Sequence, residues 1–242
     1  MRYFRSVNSV HQPPNGTNGE AGYLLAVETS GMIGSIALRS DDGEIIELLL
    51  DSEGRRHAQT LVADVQRLLC EQGVTPGEIH TVAVSIGPGS FTGLRVGLTF
   101  AKTFAWINKA SLVTVDTLQA IAQQVPADIP VVAAISDAQR GELFWNEYGF
   151  DPESQLRCSN HPVTIIGPGQ LSASIPLSGP ALTKQVSLND RFQVVDARFW
   201  QPRAYTVAQI GAAQRLKDVV ENVNALEPLY IRRSYAEEKR QP

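Results

Sequence analysis

Two short turns carry the residue types from which phosphate or cation chemistry could be built. Glu28-Thr29-Ser30-Gly31 closes an apolar run, residues 23–29, that reads as a buried strand. An acid at a strand end can position Mg²⁺, and the turn N–H groups beyond it can hold phosphate. The same residues also suit a carboxylate satisfied by its own turn. Gly87-Pro88-Gly89-Ser90 follows a second apolar run, residues 81–86, and opens a helix whose first N–H groups favour an anion. It is not a P-loop, because no Gly-Lys-Ser/Thr follows at the required spacing. Ser90 can equally cap the helix while Pro88 and Gly89 make the turn. Glu28, Thr29, Ser30, Gly31, Gly87, Gly89 and Ser90 are therefore the candidate nucleotide or phosphate loop, and no catalytic residue is assigned.

Other chemistries find less support. His11, His57, His80 and His161 include no pair three or four residues apart, the spacing that puts two imidazoles on one helix face. No metal site and no cofactor are expected. A G-x-S-x-G elbow is missing, and Ser90 lies in G-P-G-S-F without the trailing glycine. Asp137 and Glu142 read as a turn acid and a strand-start acid. Cys70 and Cys158 stand far apart and suit free thiols in a reducing cytosol.

The elements that would position these turns follow from hydrophobic periodicity. Runs at 34–39 and 45–50, with Asp41-Asp42-Gly43 between them, predict a hairpin joined to the strand at 23–29. Ala58, Leu61, Val62, Val65, Leu68 and Leu69 fall at helical spacing, and Gly73 is placed to end that helix in a left-handed cap. A second helix is expected from Phe91 to Asn108, then a strand at 112–115 and a short helix at 118–125. In the second helix Gly93, Gly97, Ala101 and Ala105 recur every fourth residue, a stripe that lets another backbone approach closely. Leu94, Val96, Leu98, Phe100, Phe104, Trp106 and Ile107 cover its other faces, and only Arg95 and Lys102 bring charge. The stripe can face the chain's own sheet or a second subunit.

Beyond the prolines at 126 and 130 the opening order returns: an apolar strand at 131–135, a turn at 136–138, and a run from Glu142 after Gly141. We read a flexible extension at 1–22, an N-terminal domain at 23–128 and a smaller, degenerate repeat of its plan at 129–242. With 242 residues and 43% apolar content the chain can bury a core without staples. A net charge of −4 lacks the broad basic field that drives phosphate-backbone binding. No run approaches the ~18 apolar residues of a membrane span, and no apolar stretch after Arg2 and Arg5 resembles a signal peptide.

Three segments resemble the bacterial TsaB family: residues 24–38 (LLAVETSGMIGSIAL), 55–69 (RRHAQTLVADVQRLL) and 84–102 (VSIGPGSFTGLRVGLTFAK). Residues 133–142 (AAISDAQRGE) and 227–232 (EPLYIR) extend the resemblance. It implies an α/β chain of actin-like, sugar-kinase type, a duplicated ribonuclease H-like fold whose nucleotide loop is vestigial. It also implies a non-catalytic partner of TsaD, the paralogue that transfers threonylcarbamoyl to the adenosine beside the tRNA anticodon. Under this resemblance the chain would be cytoplasmic and would pair with itself when TsaD is missing. It would touch tRNA only indirectly and could join a TsaE-like ATPase in a larger complex. The interface would be made by His57, Leu61, Val65 and Leu68 of the first helix. Phe91, Gly93, Leu94, Arg95, Gly97, Leu98, Ala101, Lys102 and Ala105 of the second would complete it. Glu28 stands where the family usually shows Asp, and the H-x-x-x-H by which TsaD-like enzymes bind metal is absent. An actin-fold kinase or ATPase is the alternative, with Gly167-Pro168-Gly169 or Ser178-Gly179-Pro180 as its adenosine motif. The older glycoprotease label lacks the histidine pair it requires.

Overall fold

The computed structural model describes residues 3–5, 22–50, 57–215, 219–220 and 222–231; of 3–5 and 57–59 only the backbone is considered. The first sheet is built from β1 (Tyr3–Arg5), β2 (Tyr23–Glu28), β3 (Ser35–Ser40), β4 (Ile45–Leu49), β5 (Ile79–Ser85) and β6 (Ser111–Val115), in the order β1-β4-β3-β2-β5-β6. The first four strands pair antiparallel, as the hairpin pattern predicts, and β2, β5 and β6 run parallel. Tyr3–Arg5 departs from the expected leader by pairing with β4 as an edge strand. Residues 6–21 of that expected extension lie outside the described residues.

Alternation along β2 explains why it is buried on both faces. Leu25 and Val27 pack with α1 (His57–Gln72) and α2 (Phe91–Asn108), in a core that includes Leu61, Val65, Leu68, Leu98, Ala101 and Ala105. Leu24 and Ala26 point the other way, with Ala37 and Ala83, toward Val207, Ala208 and Ile210. Small side chains on this second face let a helix lie close. A Cβ at Gly211 would stand 2.5 Å from that of Ala83.

After α3 (Thr117–Ala122) a second sheet forms from β7 (Val131–Gln139), β8 (Glu142–Asp151), β9 (Leu156–Cys158), β10 (Thr164–Ile166) and β11 (Leu177–Ser178). Its order is β10-β8-β7-β11, with β9 also on β8. Like β2, the central β7 has an antiparallel hairpin partner on one side and a parallel strand on the other. Val132 and Ala134 face Leu118 and Ile121 of α3. Ala133 and Ile135 face Leu182 of α4 (Ala181–Lys184) and Leu188 of α5 (Ser187–Arg191). The turn expected at 136–138 lies farther on, because β7 continues to Gln139. Gln139, Arg140 and Gly141 then reverse the chain with φ of 63°, 55° and 78°.

The last helix, α6 (Ala204–Gln214), belongs to the second half by sequence but packs on the first sheet. A division at residue 128 therefore separates α6 from the strands it covers. Its N-terminus is fixed there by Ser35, whose hydroxyl accepts from Ala204 N at 2.8 Å, and by the buried Glu47. Glu47 accepts from Tyr205 N at 3.2 Å and pairs with Arg203 at 2.5 Å. Among the described residues no helix is long and apolar enough to cross a membrane.

Candidate functional site

The two turns singled out in the sequence do come together, but they fill each other's space. Ser90 N donates to Ser30 O at 2.8 Å. Thr29 Oγ1 donates to Gly93 O at 2.8 Å. The Ser90 hydroxyl caps α2 by accepting from Gly93 N at 3.2 Å. A Cβ at Gly89 would stand 2.7 Å from Ser30, and one at Gly31 would stand 3.2 Å from Pro202. Glu28, Thr29 and Ser30 are buried. Both glycine-rich turns thus serve close contact between chain segments, with the structural readings of Ser90 as cap and Glu28 as turn acceptor realised. Glu28 Oε1 accepts from Ser30 N at 2.5 Å and from the Ser30 hydroxyl at 2.6 Å.

The glycine stripe faces inward, which corrects the expectation that it lines a subunit interface. Gly93, Leu94, Gly97, Leu98, Ala101 and Ala105 are the buried residues of α2. A Cβ at Gly93 would overlap the Thr29 carbonyl oxygen, and one at Gly97 would overlap Thr29 Oγ1. Leu61, Val65 and Leu68 likewise belong to the interior of this chain. A helix of this kind saves its closest approach for the sheet because interior contacts are the most tightly packed. His57 begins α1, but its side chain is not among those described.

What the two helices leave outward is a different set. Val62 is 66% exposed, Trp106 81% and Ile107 65%. Val62 also lines a groove of about 440 Å³ between the two helices, with Leu69, Cys70, Val74, Phe100 and Phe104. Along the flank of α2 runs the segment 222–231. Lys102 Nζ donates to the carbonyls of Asn224 at 3.2 Å and Leu226 at 2.7 Å. Leu229 N donates to Ile86 O at 2.7 Å. Arg95 Nε donates to Tyr230 Oη at 2.9 Å, with the guanidinium 3.9 Å above the Phe91 ring. Both expected interface cations are therefore engaged by the chain's own tail, which the resemblance at 227–232 located without assigning a contact.

Sequence reading missed two buried polar groups at the junction of the sheets. Arg157 has no exposed surface and donates to the carbonyls of Val125, Pro126 and Ile129. Its partners are backbone atoms, which residue types do not announce. Asp116 caps α3 by accepting from Leu118 N at 2.7 Å, and it accepts from Tyr148 Oη at 3.1 Å. Burial pushes the Asp116 carboxyl up from the ordinary 3.8 to about 6, against the lowering effect of those hydrogen bonds.

Because the folded pKa lies above the unfolded one, the folded chain holds this proton longer. Its contribution is full below the unfolded pKa and is lost as pH rises from near 3.8 through about 6. Asp116→Asn keeps the cap and can donate to Tyr148 Oη, so it is expected to remove that slope. The variant should be more stable than the parent at neutral pH by on the order of 3 kcal/mol. Paired urea titrations across the window measure it, and parallel curves would refute it.

The adenosine motifs of the alternative also resolve into structure. Pro168–Gln170 is a short 3₁₀ turn. Gly179, at φ 132°, lies where a Cβ would overlap the Ile135 carbonyl. Among the described residues no three of His, Cys, Asp and Glu are grouped to hold a metal.

These elements define a mixed α/β protein with two sheets. Two Pseudomonas aeruginosa structures share that fold: an uncharacterized protein with similarity to peptidase YEAZ, and YeaZ itself. Their TM-scores are 0.75 and 0.74 at 24% identity, covering 87% and 86% of this chain and 100% and 99% of those. The Bacillus subtilis tRNA threonylcarbamoyladenosine biosynthesis protein TsaB is 26% identical over 89% of this chain and 96% of its own length. The Escherichia coli TsaB is 34% identical over 53% of this chain and 55% of that protein. A Streptococcus pneumoniae tRNA N6-adenosine threonylcarbamoyltransferase is 31% identical over 51% of this chain, which spans only 42% of that enzyme. The family model for TsaD, tRNA N6-adenosine threonylcarbamoyltransferase, matches residues 51–155. The chain is thus similar to TsaB proteins, and the similarity extends over nearly the full length of the Bacillus TsaB.

Proposed function

We propose that this chain acts in tRNA threonylcarbamoyladenosine biosynthesis as a non-catalytic scaffold that binds a TsaD-like paralogue. The observation that carries the reading is the contrast between its two candidate sites. The strand-end turns are packed against each other, whereas α1 and α2 turn a groove and the large side chains of Val62, Trp106 and Ile107 outward. Large apolar side chains left exposed are candidates for a protein contact, and tryptophan is enriched among the side chains that dominate one. The similarity of the chain to both TsaB proteins and threonylcarbamoyltransferases supports a partner built on the same plan. We read the two sheets as a duplicated actin-like fold, the second copy reduced. The same face would pair two copies of the chain when the paralogue is missing, and a TsaE-like ATPase and tRNA would be met through the assembled complex. The charge of −4 fits a subunit that leaves the grip on RNA to others.

Trp106→Asp tests the reading directly. It is expected to leave circular dichroism and melting unchanged, since the side chain is 81% exposed, and to weaken co-purification with the host's TsaD homologue at least ~30-fold, about 2 kcal/mol. Undiminished pairing would show that another face is used. Steady ATP turnover by the purified chain, abolished by Glu28→Ala, would instead favour the kinase or ATPase alternative.

A further inference from the structure

Hydrogen bonds account for only half of the Glu28 carboxyl. Oε1 accepts two from Ser30, while Oε2 is buried and has no partner. The Ser85 hydroxyl is likewise buried without a partner. It ends β5 one step beyond the Val27–Val84 pair, beside Glu28, and is close enough to act on the same carboxyl. The groups that act most strongly on this carboxyl are Ser30, Ser85 and the Gly31 backbone, none of them charged. An ionised carboxylate in such a place would lack any compensating charge, at a cost of several kcal/mol. Burial pushes this acid up from its ordinary range and outweighs the Ser30, Ser85 and Gly31 contacts, which pull it down. Oε2 and the Ser85 hydroxyl can pair in either direction, the serine donating to a carboxylate or the acid donating to the serine oxygen, and the second leaves no charge buried in the interior.

We propose that Glu28 is a neutral carboxylic acid in the folded protein, its Oε2 proton donated to Ser85 Oγ, and that this internal bond closes the strand-end site against cations. A neutral acid with Oε1 occupied by Ser30 and Oε2 turned to Ser85 has no charge or free lone-pair direction to offer Mg²⁺. The same proton steadies the turn from which α2 departs, because Ser30 O accepts from Ser90 N at the start of that helix. The inference concerns the interior and stands whichever partner docks outside.

Infrared difference spectra of the full chain against Glu28→Gln, at neutral pH, decide it. The parent should show the C=O stretch of a protonated carboxyl that the variant lacks. Glutamine places an N–H where the acid carries its O–H, so the variant should melt within about 3 °C of the parent. Millimolar Mg²⁺ should move neither melting point. If Glu28→Gln does not fold, Ser85→Ala supplies the comparison, and the same band should shift to higher frequency as its acceptor is removed. A parent spectrum without a protonated-carboxyl band, or a Mg²⁺-dependent rise in melting point, overturns the proposal.

Discussion

Gly97→Leu is expected to destroy the folded monomer rather than its pairing. Any side chain at 97 begins with a Cβ inside the space of Thr29 Oγ1, and that hydroxyl already donates to Gly93 O at 2.8 Å. Leucine would have to lift α2 from β2 and β5, opening the core around Val27, Leu98 and Ala101. Overpacking a tight interior commonly costs 1–3 kcal/mol. Here a buried hydrogen bond is lost as well, so more than about 4 kcal/mol is expected, a large part of the ~5–15 kcal/mol that holds a domain together. The helix propensity of leucine, better than glycine by under ~1 kcal/mol, cannot offset that. Soluble yield and a urea midpoint measure the result. A variant that melts like the parent yet fails to pair would restore the stripe to the subunit surface. Set beside Trp106→Asp, the experiment separates the two sides of one helix.

Arg157→Met should be the next most damaging change. Methionine retains the apolar stem but leaves the carbonyls of Val125, Pro126 and Ile129 without their donor. Water cannot readily replace it, since the arginine it succeeds has no exposed surface. Hydrogen bonds to a charged group are each worth about 1.5–3 kcal/mol, and the three share one guanidinium, so a loss of about 3–5 kcal/mol is expected. At ~2–4 °C per kcal/mol for a chain of this size, melting should fall by roughly 10 °C. Arg157→Lys should rescue only part of it, because a single ammonium cannot reproduce the planar fork that reaches all three carbonyls. Melting points in the order parent, lysine, methionine are the expected outcome. Equality of methionine and parent would mean that the junction does not depend on this clamp.

The local elements were legible because local pattern determines them. Helices His57–Gln72 and Phe91–Asn108 stand where the periodicity puts them, and the hairpin of the first sheet follows its Asp-Asp-Gly turn. Gly73, with φ of 67°, ends α1 in the expected left-handed conformation, which costs a residue without Cβ nothing. The motifs around Glu28 and Gly87 also identified the segments that meet at the strand ends, and with them the family resemblance. What those segments do on meeting was another matter. A strand-end acid and a glycine-rich turn compose a phosphate cradle or a plug from the same residues. The outcome depends on whether Ser30, Gly89 and Pro202 close the gap, and those contacts span distant parts of the chain. The direction of α2 was equally open. A helix apolar nearly all round carries no moment strong enough to say which side meets the sheet, and only Thr29 beneath Gly93 and Gly97 decides it. Helix α6 was not read from the sequence at all, and neither was its place on the first sheet. Its small and branched residues fit either half, and the alanines of β2, β3 and β5 that admit it lie well over a hundred positions away in the chain. Sequence by itself thus determined most elements between residues 23 and 125 and the family they resemble, since these rest on neighbours within a few residues. Tertiary packing alone decided which faces are spent inside and which stay exposed, because that choice rests on atoms brought together from both ends of the chain.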